Sequence, residues 1–351
     1  MPFSGTVSQT VIDVMQLIEH AVRRCGKFAE ELTVEQIQSA RESLYFLLSH
    51  MGNRGIQYWA IQKTVIGTIS HKYTYYLPLG SIDVLNAFYR RMNRNTGIAI
   101  MSDGDGQLAL DGDVSTKCVQ AIADGFLGVS LPEPVYVTSV GILAGESSPF
   151  TIVIEYSEDG IVWNLLQAVP KTMWVDGQWL WYDIDPGKSV RYYRIRETAG
   201  GFLNVRELYV GSNPSEITLS RLNRDDYTNL PNKTYPSNQP VQYWMDHTIN
   251  VPNIQVWPVP NNYFTQIVVY CSRYIMDVGD LQGEIEIPQR WYEAIIFSLA
   301  HKMSLELPGV DLQRIQYLET QMNIHRGEAE DAEYDRSPIR WLPNVRCYTK
   351  I

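Results

Sequence analysis

The chain has 351 residues, enough for two domains of ordinary size and a real core without disulfide staples. Hydrophobic residues make up 45%, aromatics 11% and charged residues 19%, which excludes intrinsic disorder, and the absence of any run of 18 apolar residues excludes a spanning helix. The net charge of -10 is uneven: residues 1–97 carry 10 basic and 7 acidic side chains, residues 98–213 carry 7 and 15, and residues 214–351 carry 12 and 17, so no segment has the basic excess that tight DNA binding requires.

Val7, Val11, Val14, Ile18, Ala21 and Val22 recur at helical spacing and stop at Cys25 and Gly26, predicting a first helix. Thr33 with Gln36 forms a capping box, and Ile37, Ala40, Leu44, Leu47 and Met51 trace one face of a second helix ending at Gly52. Tyr58 to Ile69 and Lys72 to Leu77 predict two strands in a hairpin, whereas Asp83 to Met92 has no clear pattern. From Met101 the texture changes to glycine, aspartate and short alternating runs at 135–143, 150–156, 179–184, 190–197 and 203–210, a β-sandwich pattern. A long polar stretch with Pro231, Pro236 and Pro240 predicts an ordered loop, followed by strands at 241–246, 253–257 and 264–270. Pro288 opens a helix carrying Trp291, Ala294, Ile295, Leu299 and Met303, and a last helix runs from Val310 through Ile315, Leu318 and Met322 into an acidic stretch and a proline-bearing tail. The fold class expected is α+β: a helical core with small β elements, residues 1–97 plus 214–351, interrupted by an antiparallel sandwich at 98–213.

Motifs for chemistry are weak. Gly104 to Ala109 fits a dinucleotide fingerprint in form, but flanking aspartates would repel a pyrophosphate and no clean strand precedes it. An EF-hand counted from Asp103 has Val114 where a bidentate glutamate belongs. The six histidines form no HExxH, and Cys25, Cys118, Cys271 and Cys347 are too widely spaced for a zinc cluster. The first twenty residues carry acids and glutamines instead of a continuous apolar stretch, so the expectation is a protein kept in a reducing compartment, with no catalytic residues and no enzyme activity.

The segment from Leu110 to Gly211 resembles the discoidin, or coagulation-factor C-type, family of galactose-binding-like jelly-roll sandwiches. The resemblance rests on Asp111-Gly112-Asp113-Val114-Ser115-Thr116-Lys117, on Ile154 to Gly160 with Trp163, whose indole is expected under the sandwich, and on Arg191 to Arg196 through Leu203 to Tyr209. Cys118 stands where that family usually has a tryptophan. The resemblance implies a calcium ion held by Asp111, Asp113, Thr116 and Glu207, with no other cofactor. Phe126 and Trp174 are the glycan-contact candidates.

The flanking parts resemble the head-to-tail adaptor, or connector, family of bacteriophages, through the order along the chain of Leu17-Ile18-Glu19-His20-Ala21, Asn53-Arg54-Gly55, Tyr75-Tyr76-Leu77-Pro78, Asp225-Asp226-Tyr227, Trp257-Pro258-Val259-Pro260-Asn261 and Val278-Gly279-Asp280-Leu281 before Ile287-Pro288-Gln289-Arg290-Trp291. This resemblance implies a virion structural protein, assembled in the host cytoplasm as a ring of twelve copies, that docks on the portal, attaches tail nozzle or tail fibre proteins and lets double-stranded DNA pass during genome ejection, with no membrane partner. Arg340, Trp341 and Tyr348 in the tail are the portal-contact candidates. The alternative is a carbohydrate-binding protein acting through the discoidin-like domain.

Overall fold

The computed structural model describes residues 12–52, 58–248 and 251–333. Val7 and Val11 of the first expected helix, the Asn53-Arg54-Gly55 motif, Cys347 and the portal-contact candidates Arg340, Trp341 and Tyr348 lie outside them. Five α-helices occur among the described residues: α1 (Val14–Arg24), α2 (Val34–Gly52), α3 (Arg224–Thr228), α4 (Tyr292–Glu306) and α5 (Leu312–Ala332). The chain divides into two compact units, residues 1–61 with 272–351 and residues 62–271.

In the first unit α1, α2, α4 and α5 pack around one apolar cluster. Asp13 caps α1 through a capping box with Gln16, and the helix buries Val14, Leu17, Ile18, Ala21 and Val22. The Thr33 and Gln36 box forms as expected, Gln36 N donating to Thr33 Oγ1 at 3.3 Å and Thr33 N to Gln36 Oε1 at 3.0 Å. Returning chain covers the start of α1, where the N–H groups of Val14 and Met15 donate to the carbonyls of Gly283 and Leu281. Trp291, at the head of α4, is buried beside Trp59 with ring centroids 5.6 Å apart. By contrast α5 buries only Leu318 and Ala329.

The second unit is almost entirely β: β1 (Ile61–Gly67), β2 (Thr74–Tyr76), β3 (Ser81–Arg94), β4 (Ile98–Met101), β5 (Cys118–Val119), β6 (Phe126–Val135), β7 (Val137–Ala144), β8 (Pro149–Ser157), β9 (Asn164–Met173), β10 (Trp179–Asp183), β11 (Val190–Glu197), β12 (Asn204–Thr218), β13 (Ser220–Arg221), β14 (Pro236–Ser237), β15 (Gln242–Asp246), β16 (Asn253–Trp257), β17 (Val259–Pro260) and β18 (Thr265–Arg273). A seven-stranded sheet has the order β1-β18-β3-β12-β7-β10, with β5 also on β12; a five-stranded sheet has the order β4-β6-β11-β8-β9, and a four-stranded one β13-β15-β16-β2. One end of the large sheet packs on the five-stranded sheet through Val140, Ile142, Ile154, Tyr193, Ile195, Val205 and Leu208, which forms the expected sandwich. Its other end packs on the four-stranded sheet through Tyr75, Tyr89, Val256, Ile267, Val269 and Cys271.

The long strands β3 and β12 therefore belong to both halves. Residues 205–212 of β12 pair with β7, and residues 211–218 pair with β3. The opposite face of this sheet curls, so that its two edge strands meet through side chains: Lys63 Nζ lies 2.7 Å from Asp183, and the Trp181 indole lies against Gly67. Inside the curl, Trp179 stacks on Trp181 at 5.2 Å and Tyr209 on Phe264 at 5.3 Å. Arg90, only 8% exposed, ties β3 to Asp183, Glu216 and Gln266 there.

Several expectations need correction. The two strands read as a hairpin sit in different sheets, β1 on β18 and β2 on β16. Residues 83–92, without a clear pattern, belong to the 14-residue β3; its arginines hid the alternation, because Arg90 is a buried ion-pair hub instead of a solvated residue. The β elements outside residues 98–213 are not small, since β3 and β18 are central strands of the large sheet. Trp163 is half-buried on the outer face of the five-stranded sheet, with the Arg194 guanidinium 3.9 Å from its ring, and is not tucked beneath the sandwich.

Candidate functional site

On the curled face, Glu207 of β12 is fully buried. Its Oε2 accepts from Arg94 Nη2 at 2.7 Å, and its Oε1 has no hydrogen-bond partner of good geometry, with the Asp111 carboxylate and the Gly112 N–H close by. Burial, opposed by Arg94 and reinforced by Asp111, pushes the Glu207 carboxyl up to about 7.

The loop 108–116, which meets this carboxylate at Asp111 and Gly112, gathers oxygens around the Thr116 hydroxyl. Thr116 Oγ1 lies 2.8 Å from the Asp113 carbonyl, 3.2 Å from the Leu108 carbonyl, and 3.0 and 3.3 Å from the two Asp111 carboxylate oxygens. One hydroxyl proton serves one acceptor well, not four. Oxygens about 3 Å apart are instead what a cation ligated at about 2.3–2.6 Å gathers around itself. The donor set is all oxygen and suits calcium, so the implied cation fits. Asp111, the Thr116 hydroxyl, the Leu108 and Asp113 carbonyls and Glu207 Oε1 would hold it, and it would supply positive charge to the buried carboxylate. The Asp113 side chain takes no part, because its Oδ1 accepts from Ser115 N and Oγ, which hold the carboxyl below the usual range. Among the described residues no group of three or more His, Cys, Asp or Glu is placed to hold a metal; this basket brings only two carboxylates together.

At one end of the sandwich the loops 119–125 and 198–204 run side by side, Gln120 N donating to the Leu203 carbonyl and Asp124 N to the Gly201 carbonyl. Phe202 stands out from them, 52% exposed. Gln120 and Asn204 are buried, and the side-chain carbonyl oxygen of each has no hydrogen-bond partner, that of Gln120 facing Gly125 and that of Asn204 facing Gly145. The expected glycan candidates are placed otherwise. Trp174 is fully buried, its ring 4.4 Å from that of Phe150, and has no free face for a sugar. Phe126 is half-buried and covered by the Arg194 guanidinium at 4.9 Å, which is itself held by Glu155.

Of the four residues the resemblance implies, the structure brings Asp111 to Thr116 and Glu207 and turns the Asp113 side chain to Ser115; Arg94, the two carbonyls and Phe202 were not among the sequence candidates. Backbone carbonyls leave no residue-type signal. Phe202 follows Gly200-Gly201, a turn signal that marks it as a loop aromatic.

No family model matches the chain. No curated protein matches it. Solved structures resemble about a third of it. A pectin-binding carbohydrate binding module is 18% identical over 34% of this chain and 93% of its own, with a TM-score of 0.31. A family 62 module from Clostridium thermocellum is 20% identical over 35% and 98%, with a TM-score of 0.31. A family 32 module from C. perfringens, solved with galactose, is 19% identical over 32% and 92%, with a TM-score of 0.27. The sandwich assignment rests on the strand order and register of this chain.

Proposed function

We propose that the protein is a non-catalytic virion structural protein, a ring-forming head-to-tail adaptor that docks on the portal, attaches the tail and lines part of the DNA channel. What supports this reading is the apolar surface left in solvent on the helical unit: Val34 is 83% exposed, and Phe46, Met276, Leu305, Leu312 and Tyr317 are exposed as well. Neighbouring copies or a portal surface would cover such residues. A net charge of -10 also suits a conduit wall that does not hold duplex DNA. The test is light scattering of the purified chain with and without portal protein. Ring formation or a portal complex is expected; a monomer that ignores the portal refutes the reading. Deleting residues 336–351, which include Arg340, Trp341 and Tyr348, is expected to abolish portal binding at unchanged melting temperature.

A second reading, carbohydrate binding by the sandwich, is favoured by Phe202 standing exposed on a loop at the end of the sandwich. An exposed loop aromatic suits the apolar face of a sugar ring. Glycan-array binding that disappears in Phe202→Ala would support it.

A further inference from the structure

We propose that Arg94 is a resident counter-charge that shares Glu207 with the cation of the oxygen basket and sets its affinity low. The inference rests on the basket binding a divalent cation, and it concerns a residue of β3, outside the discoidin-like segment altogether.

The guanidinium is held from several sides. Its Nη2 donates to Glu207 Oε2 at 2.7 Å and lies 3.2 Å from the Leu110 carbonyl, while its Cζ sits 4.5 Å above the Phe264 ring. Gly112, at φ +86°, passes close by: a Cβ there would lie 3.0 Å from Nη1, so a side chain at 112 would push the guanidinium off Glu207. On its other side Arg94 borders an open groove of about 490 Å³, so shortening or replacing it opens no sealed cavity. The result is a carboxylate divided between two roles. Oε2 belongs to Arg94, and Oε1 is left free for the cation.

Two consequences follow from charge alone. Without a cation, Glu207 is still paired, so the fold does not require metal. With a cation, a fixed positive charge stands on the far side of the same carboxylate, and repulsion between like charges at this range in a partly buried site amounts to one or more factors of ten in affinity.

Isothermal calorimetry with calcium chloride on the full chain, with melting temperatures recorded in chelator and in calcium, tests the proposal in three proteins. The parent is expected to stay folded in chelator and bind calcium weakly. Arg94→Met keeps an unbranched side chain and drops the charge; it should melt lower in chelator, bind calcium at least tenfold more tightly and recover its melting temperature when loaded. Arg94→Lys keeps the charge and should bind like the parent. Equal or weaker calcium binding by Arg94→Met with a parent-like circular dichroism spectrum overturns the role of Arg94. So does an Arg94→Lys affinity as tight as that of Arg94→Met, because shape would then matter and charge would not. Binding by none of the three overturns the cation site together with it.

Discussion

Trp181, with the Lys63–Asp183 ion pair, joins the two edges of the curled sheet, and two glycines make room for it. A Cβ at Gly67 would lie 2.7 Å from indole Cδ1 and 2.9 Å from the Trp179 Cβ; one at Gly141 would lie 2.6 to 2.8 Å from three carbons of the six-membered ring. Neither glycine has a positive φ, so alanine is acceptable to the backbone; at Gly141 only the indole stands in the way, and at Gly67 the indole and the Trp179 Cβ do. Overpacking of this kind costs about 1–3 kcal/mol. For a unit the size of residues 62–271, each kcal/mol shifts the melting temperature by roughly 2–4 °C. Gly67→Ala and Gly141→Ala should therefore each melt about 2–12 °C lower by calorimetry, a range that follows from those two magnitudes. The diagnostic step is the background: in Trp181→Ala, itself costing about 3–5 kcal/mol, the added methyl at 141 should cost almost nothing. Parent-like melting of both glycine variants, or the same Gly141→Ala loss with and without the indole, would refute the wedge.

Glu155 sits between Arg194 and Arg196, and although burial raises its carboxyl, hydrogen bonds from Arg196 and Arg194 and their charges outweigh that and hold it below the ordinary range. A depressed carboxyl stabilises the fold above the unfolded value of 4.5 and loses that contribution as pH falls through the folded one, so Glu155→Gln should lower the melting temperature at pH 7 and flatten its decline in acid. Gly327 lies inside α5 with nothing within 4 Å of a Cβ, so Gly327→Ala should stabilise by about 0.5–1 kcal/mol, read as a higher denaturation midpoint. Leu318 is one of two buried residues of that helix, so Leu318→Ala should cost about 2–5 kcal/mol and show early loss of helical circular dichroism. Phe202→Ala, at an exposed loop position, should leave the melting temperature within about 1 °C; a larger drop would place that ring in the fold instead of at a ligand surface.

The helices were legible because capping and periodicity are local: Thr33 with Gln36 and the 14-18-21-22 spacing carry their own geometry. The strands of the sandwich were legible where they alternate, as in Val190 to Glu197. Two strands were missed where prolines sit in them, Pro132 and Pro134 in β6 and Pro170 in β9, at places that do not break the ladder: β9 is an edge strand, and β6 pairs with β4 only through Leu127–Ser130. Pairing across the large sheet was not legible at all. That β3 leaves one sandwich and enters the other depends on partners more than a hundred residues away, and Arg90 and Arg94 look solvated until those partners are known. The same holds for the basket, two of whose oxygens come from the backbone.

The helical unit is assembled from the two ends of the chain, and this sets an order of events during synthesis. The 210 residues between Ile61 and Ser272 form a unit of their own that can close as soon as it is made, while Leu17, Ile18 and Leu44 of α1 and α2 wait for α4. At ribosomal rates of about 5–20 residues per second, that wait is roughly 10–40 s with apolar helix faces uncovered. Nascent α1 and α2 are therefore the segment on which a chaperone would act, and slowing translation ahead of residue 272 should lower the soluble yield more than slowing it after residue 333.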